Sequence, residues 1–492
     1  MPPWPSQPWI LEINTWTWLS QLSAHYGRRI TLDCVPGEVW DELSRTRANA
    51  VWLMGVWRRS ELGRSISLAS PSIVAECQRI LADFSPDDIS GSPYSIREYV
   101  VDARLGGAEG LAEARRQLAS RGFCLLLDFV PNHVAPDHPW IMEHPEYFVC
   151  GDESDLQGDP QGFFRDGQSL IARGRDPYFP PWPDTAQLNA FCPALRACAA
   201  DTARSISEQC DGVRCDMAML LINRIFFQTW GERAGTVPEE EYWREIIARV
   251  REVYPGFLFV AEAYWDMEWE LLQLGFDYCY DKRLYDRLAE GQAEQLREHL
   301  GAAVSYQRRL LRFLENHDEP RAATVLSRAQ NRVAAVALMT LPGAKLLQGG
   351  QTSGAKIRSS VHLGRCPEEI PDEELRSFYE ALLEIVQSAD LRNGEWQLCQ
   401  QCGWPDNQSC RNLVSWAWQV AQRKYVVVVN LSEQRGQGRI VLPWSDLGGG
   451  NWRVINLLPR EDFGAISGED LLADGLYVDV DTHSFHLIEL AV

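Results

Sequence analysis

The chain has 492 residues, of which 45% are hydrophobic and 23% charged, and its net charge is −21 from 68 acidic and 47 basic side chains. That balance is the composition of a globular protein able to bury a large core, and the length exceeds one ordinary domain. The negative charge excludes nucleic acid and anionic membrane surfaces as general partners, and no apolar run approaches the ~20 residues that cross a bilayer.

The N-terminal MPPWPSQPWI has neither the basic nor the apolar region of a secretory signal. The 13 cysteines are odd in number and scattered, several inside apolar runs such as Cys124 and Cys215. Both features point to a reducing, cytoplasmic setting. Cys399 and Cys402 have metal-site spacing and Cys410 follows, but a fourth ligand is missing, so these read as structural and no metal is expected there.

From about residue 50 to 390, short apolar runs alternate with amphipathic segments. The runs are AVWLMGVW (50–57), YVVD (99–102), FCLLLDFV (123–130), GVRCDM (212–217), FLFVAEAY (257–264), FDYCYD (276–281), LRFLENHD (311–318) and AKLLQGG (344–350). Near-continuous apolarity suits parallel strands buried on both faces. Helical patterns lie between them, such as GLAEARRQLASRG (110–122), which ends on a glycine stop signal. Eight such units predict a closed (β/α)₈ TIM barrel. The connection after His133 is far longer than an ordinary βα loop and predicts an inserted subdomain on the face where barrel active sites form. Beyond residue 394 the chain turns to short strands split by Gly, Asn, Asp and Pro, as in an antiparallel β-sandwich. The expected division is a barrel of residues 1–133 and 206–393, an insert of 134–205 and a sandwich of 394–492.

Four of the runs end in polar residues. The third ends in Asp128, Asn132 and His133, and the fourth carries Arg214 and Asp216. The fifth carries Glu262, and the seventh ends in Asn316, His317 and Asp318. In a barrel these ends converge on one rim, where unpaired charge is costly to bury. Glycoside cleavage with retention asks for this set, because it needs a nucleophilic carboxylate and a carboxylic acid close together. Arg214 shares a strand face with Asp216 and favours its charged form, as a nucleophile requires. Glu262 sits between alanines, where desolvation raises its pKa, as a general acid requires. His133 and His317 can donate hydrogen bonds to sugar hydroxyls.

DFVPNH, GVRCD, VAEAY and LENHD resemble, in order, the conserved regions of glycoside hydrolase family 13, the α-amylase family. The resemblance covers nearly the whole chain. It implies a barrel, a domain B after the third strand and a C-terminal β-sandwich. It also implies that Asp318 is the third carboxylate, which binds sugar hydroxyls and helps distort the reacting ring. GSPYSIREYVVD (91–102) resembles the segment whose tyrosine stacks on that ring, here Tyr94. DTAQLN (184–189) and LPGAKLLQGGQ (341–351) resemble further family stretches. The implied substrate is an α-glucan or maltooligosaccharide, cleaved through a covalent intermediate. The alternatives are a transglycosidase or phosphorylase with the same intermediate, and a catalytically silent sugar-binding protein, which the three intact carboxylates disfavour. No cofactor is implied beyond the calcium ion of many family members, for which Asn132 and Asn189 are the candidate ligands. Where many α-amylases have Lys-His after the nucleophile, this chain has Met219 and Leu220. That departure speaks against ordinary endo-acting specificity and against calcium. Lys356, Arg358, His362 and Arg365 suggest either a phosphate site or, with more weight, ion pairs to the acidic stretch 367–375. No motif specifies an oligomeric state.

Overall fold

The computed structural model describes residues 4–167 and 169–491. Eight parallel strands close a barrel. They are β1 (Trp9–Asn14), β2 (Ala50–Met54), β3 (Cys124–Phe129), β4 (Gly212–Cys215), β5 (Leu258–Ala261), β6 (Tyr278–Tyr280), β7 (Leu310–Arg312) and β8 (Ala344–Gln348). The apolar runs follow from burial on both faces. Leu11, Val51, Leu53, Leu125 and Leu127 point out under the helices, while Ile10, Trp52, Leu126, Val260 and Leu346 fill the interior.

One strand differs from expectation. YVVD is not in the barrel: Ile96–Val101 pairs antiparallel with Trp57–Arg59 on the rim, with Val100 exposed. The closing strand is instead Trp9–Asn14, hydrogen-bonded to β2 and β8. Prolines before it and Glu12 within it disguise this run, yet Glu12 is buried with a partner.

Between β3 and β4, the strand pairs His133–Val134 with Ala186–Gln187 and Phe163–Asp166 with Ser169–Ala172 build a small subdomain over their own apolar cluster. The helix Pro193–Ser207 already belongs to the barrel shell, since Ala199, Ala203 and Ile206 join the main core. The first turns of the same helix also touch the insert, since Leu195 joins its apolar cluster.

The C-terminal region stacks a six-stranded antiparallel sheet on a three-stranded one. Alternation along Arg423–Asn430 sends Val426 and Val428 into the space between the sheets, and Tyr425, Val427 and Val429 against the barrel. Trp418 on the neighbouring strand donates from Nε1 to Thr340 O at 2.6 Å, which fastens the two regions. Among the described residues no helix is long and apolar enough to cross a membrane.

Candidate active site

The carboxyl ends of β4, β5 and β7 bring Arg214, Asp216, Glu262, His317 and Asp318 together. Arg214 is the centre of the group. Its Nη1 lies 2.5 Å from Asp216 Oδ1 and its Nη2 lies 2.8 Å from Glu262 Oε1. The guanidinium is enclosed by aromatic rings, with centroids at 5.1 Å (Tyr94), 5.4 Å (Trp52) and 5.9 Å (Tyr280). Such walls exclude water and strengthen the two ion pairs.

A second device joins β4 to β5. Met217 adopts a left-handed conformation (φ 43°), unfavourable for a side chain with a Cβ. That turn aims its N–H at Glu262 Oε2 (2.6 Å), while Tyr264 Oη donates to Oε1 at 3.1 Å. Burial pushes the Glu262 carboxyl up to about 7; Arg214 and the Met217 N–H oppose this, and the charges of Asp216 and Asp318 reinforce it.

Asp318 behaves in the opposite way. Burial disfavours its charge, but His317 Nε2 at 3.1 Å outweighs it and holds the carboxyl down at about 2. Burial also works against charging His317, yet Asp318 and Glu12 raise its pKa well above the ordinary histidine value. Glu12 Oε1 accepts from both Nδ1 (2.6 Å) and the backbone N–H (3.2 Å) of His317. Tyr94 Oη lies 2.6 Å from His317 Nε2. Glu262 is 3% exposed and the Asp318 side chain 46%, so Asp318 is the more accessible of the two carboxylates.

Asp128 supports the rim from below. It accepts from Trp52 Nε1 (3.2 Å) and from the Gly55 N–H (2.8 Å). Its carboxyl is pushed up to about 6 by burial, against the pull of Arg214. Gly55 has φ 77°, and a Cβ there would meet Pro93 at 2.9 Å, so the Tyr94 turn requires glycine.

His133 sits at the edge of the insert, its ring 5.1 Å from Trp182. Burial lowers its pKa, and Asn132 Nδ2 lies 3.3 Å from Nδ1, which leaves Nε2 to donate. The Asn132 and Asn189 carboxamide oxygens are already engaged: the first accepts from Gln187 Nε2 (3.1 Å), the second from the Phe191 N–H (3.1 Å). Among the described residues no cluster of three or more His, Cys, Asp or Glu is placed to hold a metal ion.

Met219 and Leu220 are fully buried in the core and do not line the site. The basic segment after β8 makes ion pairs, but not with residues 367–375. Arg358 pairs with Glu76, and Arg365 with Asp83 and Asp88, all beyond β2. His362 Nδ1 faces Ser67 Oγ at 3.0 Å. In the acidic stretch Glu369 accepts only backbone N–H groups here, those of Lys356 and Ile357.

Sequence reasoning brought the three carboxylates, Arg214, His317 and Tyr94 to one rim. It missed Glu12, Tyr264 and the Met217 N–H. A carboxylate inside the apolar WILEIN was the available signal for Glu12; a backbone donor leaves none.

The model of the α-amylase catalytic domain matches residues 83–414. An α-amylase, MalA, of Haloarcula japonica is 29% identical over 250 residues, 48% of this chain and 33% of that protein. An α-1,4-glucan:maltose-1-phosphate maltosyltransferase of Burkholderia pseudomallei is 26% identical over 206 residues, 40% of this chain and 15% of that one. The chain thus spans a third or less of the length of these two curated relatives. A maltogenic α-amylase of Thermotoga neapolitana, AmyB, has the same fold, with a TM-score of 0.70, 19% identity and 99% of both chains covered.

Proposed function

Because the chain belongs to the α-amylase family, we propose that it cleaves α-glucosidic bonds of α-glucans or maltooligosaccharides with retention, with Asp216 as nucleophile and Glu262 as acid/base. The observation that carries this reading is the sharing of one buried guanidinium by Asp216 and Glu262. Two carboxyls gripped by one Arg are close neighbours, which supports double displacement, in which the two stand about 5–5.5 Å apart.

In the first step Asp216 attacks the anomeric carbon as the C1–O bond breaks. Glu262, protonated at or below pH 7 by its raised pKa, gives its proton to the leaving oxygen. Esterification removes the charge of Asp216, one of the groups that hold the Glu262 pKa up. The acid therefore becomes a better base for the second step. It takes a proton from water as the C1–ester bond breaks, and both carboxyls return to their starting states. Asp318, kept anionic by His317, accepts hydrogen bonds from sugar hydroxyls, and Tyr94, His133 and His317 frame the reacting ring.

A sugar hydroxyl can replace water in the second step. Exposed aromatic rings of the insert, Tyr178 and Phe179, offer such an acceptor a stacking surface. Proton NMR of maltoheptaose digests tests the proposal: the first product should carry the α anomer, and Asp216→Asn should abolish its formation. A β product would overturn it.

A further inference from the structure

The segment after β8 passes over β1 and is fastened to the loop after β2. Arg365 Nε pairs with Asp88 at 2.5 Å and its Nη2 with Asp83 at 3.0 Å; Arg358 Nη2 pairs with Glu76 at 2.8 Å. The backbones join as well: Ser90 N donates to His362 O and Gly364 N to Asp88 O, both at 2.8 Å. The buried Arg59 donates from Nη1 to Gly91 O (2.5 Å) and Val361 O (3.3 Å). Leu363 packs with Ile89, Cys77 and Leu81 in a small core of its own, all at most 2% exposed. A strap held by buried apolar contacts and several charge-assisted bonds is a wall rather than a lid.

Its position relative to the chemistry is set by its two ends. At one end Arg358 Nη1 donates to the Asp318 carbonyl at 2.8 Å. At the other, Val361 meets Arg59 over Gly91, at the start of the turn that carries Tyr94. Asp318 and Tyr94 are the groups that frame the reacting ring, so the strap runs just beyond that ring. Glu262 faces the leaving oxygen, so the aglycone lies on the opposite side, toward Trp265 after β5. There the surface is aromatic: Tyr178, Phe179 and Trp269 are exposed, and Tyr178 and Trp265 meet in a T-shaped contact at 4.8 Å between centroids. A cavity of about 540 Å³ does lie by β1, lined by Trp18, Ser359 and Cys366. It reaches the site only at Glu12 and His317, 1% and 4% exposed. Tyr94, Asp216, Glu262 and Asp318 do not line it.

We propose that the site accepts a single glycosyl unit on the glycone side, so that the enzyme works from non-reducing chain ends and removes or transfers one unit at a time. This rests on the α-glucan reading above. The strap, through Arg358, Arg365 and their carboxylate partners, is the specificity-determining element.

The test compares maltoheptaose with maltoheptaose blocked at its non-reducing end by a 4,6-ethylidene group. Early products from the free substrate should differ from it by one unit, and the blocked substrate should react at least about 100-fold more slowly, as expected when an added group meets a fitted wall. In the Arg358→Ala variant, where one tie is cut and Arg365 is kept, two-unit products should appear while single-unit release continues. Comparable cleavage of free and blocked substrates, or mixed early products from the wild-type enzyme, would overturn the inference and leave the α-glucan reading standing. No reaction with either substrate would bring down both.

Discussion

The β4–β5 rim and the central strand of the C-terminal sheet, Arg423–Asn430, are both buried but use burial differently. Val426, Val427, Val428 and Val429 are fully buried, alternate cleanly between two cores and leave no charge without a local partner. Lys424, at the start of the same strand, reaches Asp446 at 2.8 Å. At the rim, burial falls on Arg214, Asp216, Glu262 and His317, and two neighbouring backbone turns are left-handed at Met217 and Trp265. In the sheet, dehydration stabilises. At the rim it moves proton affinities apart, with Glu262 up to about 7 and Asp318 down at about 2. The comparison teaches that burial is neutral as evidence for stability: what is buried decides whether the result is a core or a reagent.

Substitutions break this comparison most strongly. Glu262→Gln should lower kcat by about 10²–10⁴-fold, the usual share of general acid–base catalysis, and Asp216→Asn by at least as much, with circular dichroism unchanged. Val428→Ala should do the reverse, with activity kept and stability reduced by about 1–3 kcal/mol in denaturant titration. An inactive Val428→Ala protein that still melts like the wild type would contradict the division.

The pH profile sharpens it. As the acid, Glu262 must be protonated in the free enzyme, so kcat/KM should fall as pH rises through about 7. Stability carries the same sign. A carboxyl whose pKa is raised on folding binds more protons in the native state, so its contribution is present below about 4.5 and is lost as pH rises to about 7. Glu262→Gln should therefore lose part of the wild type's decline in melting temperature across that range. An unchanged decline would detach the shift from Glu262.

Glu12→Gln has the smallest expected effect. Removing this charge lowers the His317 pKa, which in turn weakens its hold on Asp318. The His317 imidazole should titrate at a lower pH by NMR, while the acidic limb of the pH–rate profile, where His317 is protonated in both proteins, stays, a readout that a purely structural role would not produce. Glu12→Asp should restore part of it.

Much of this was legible in the chain because its signals are local. DFVPNH, GVRCD, VAEAY and LENHD each place charge at the end of an apolar run, which a buried strand tolerates only where its partners lie at one rim. The barrel's count of eight was legible for the same reason, but its membership was not. YVVD and WILEIN carry similar apolar content, and which one closes the cylinder depends on pairing with β2 and β8, far off in the chain.

By itself, then, the amino-acid order determined seven of the eight barrel strands, the presence of an insert after the third and which carboxylates stand at the strand ends, since hydrophobic periodicity and misplaced charge are written within a few residues. Tertiary structure alone decided that Glu12 serves His317, that Met217 turns its N–H onto Glu262, and that Arg358 and Arg365 reach back to Glu76 and Asp88 rather than to the acids beside them. Such pairings join groups far apart in the sequence. Their energy depends on distances that exist only once the barrel has closed.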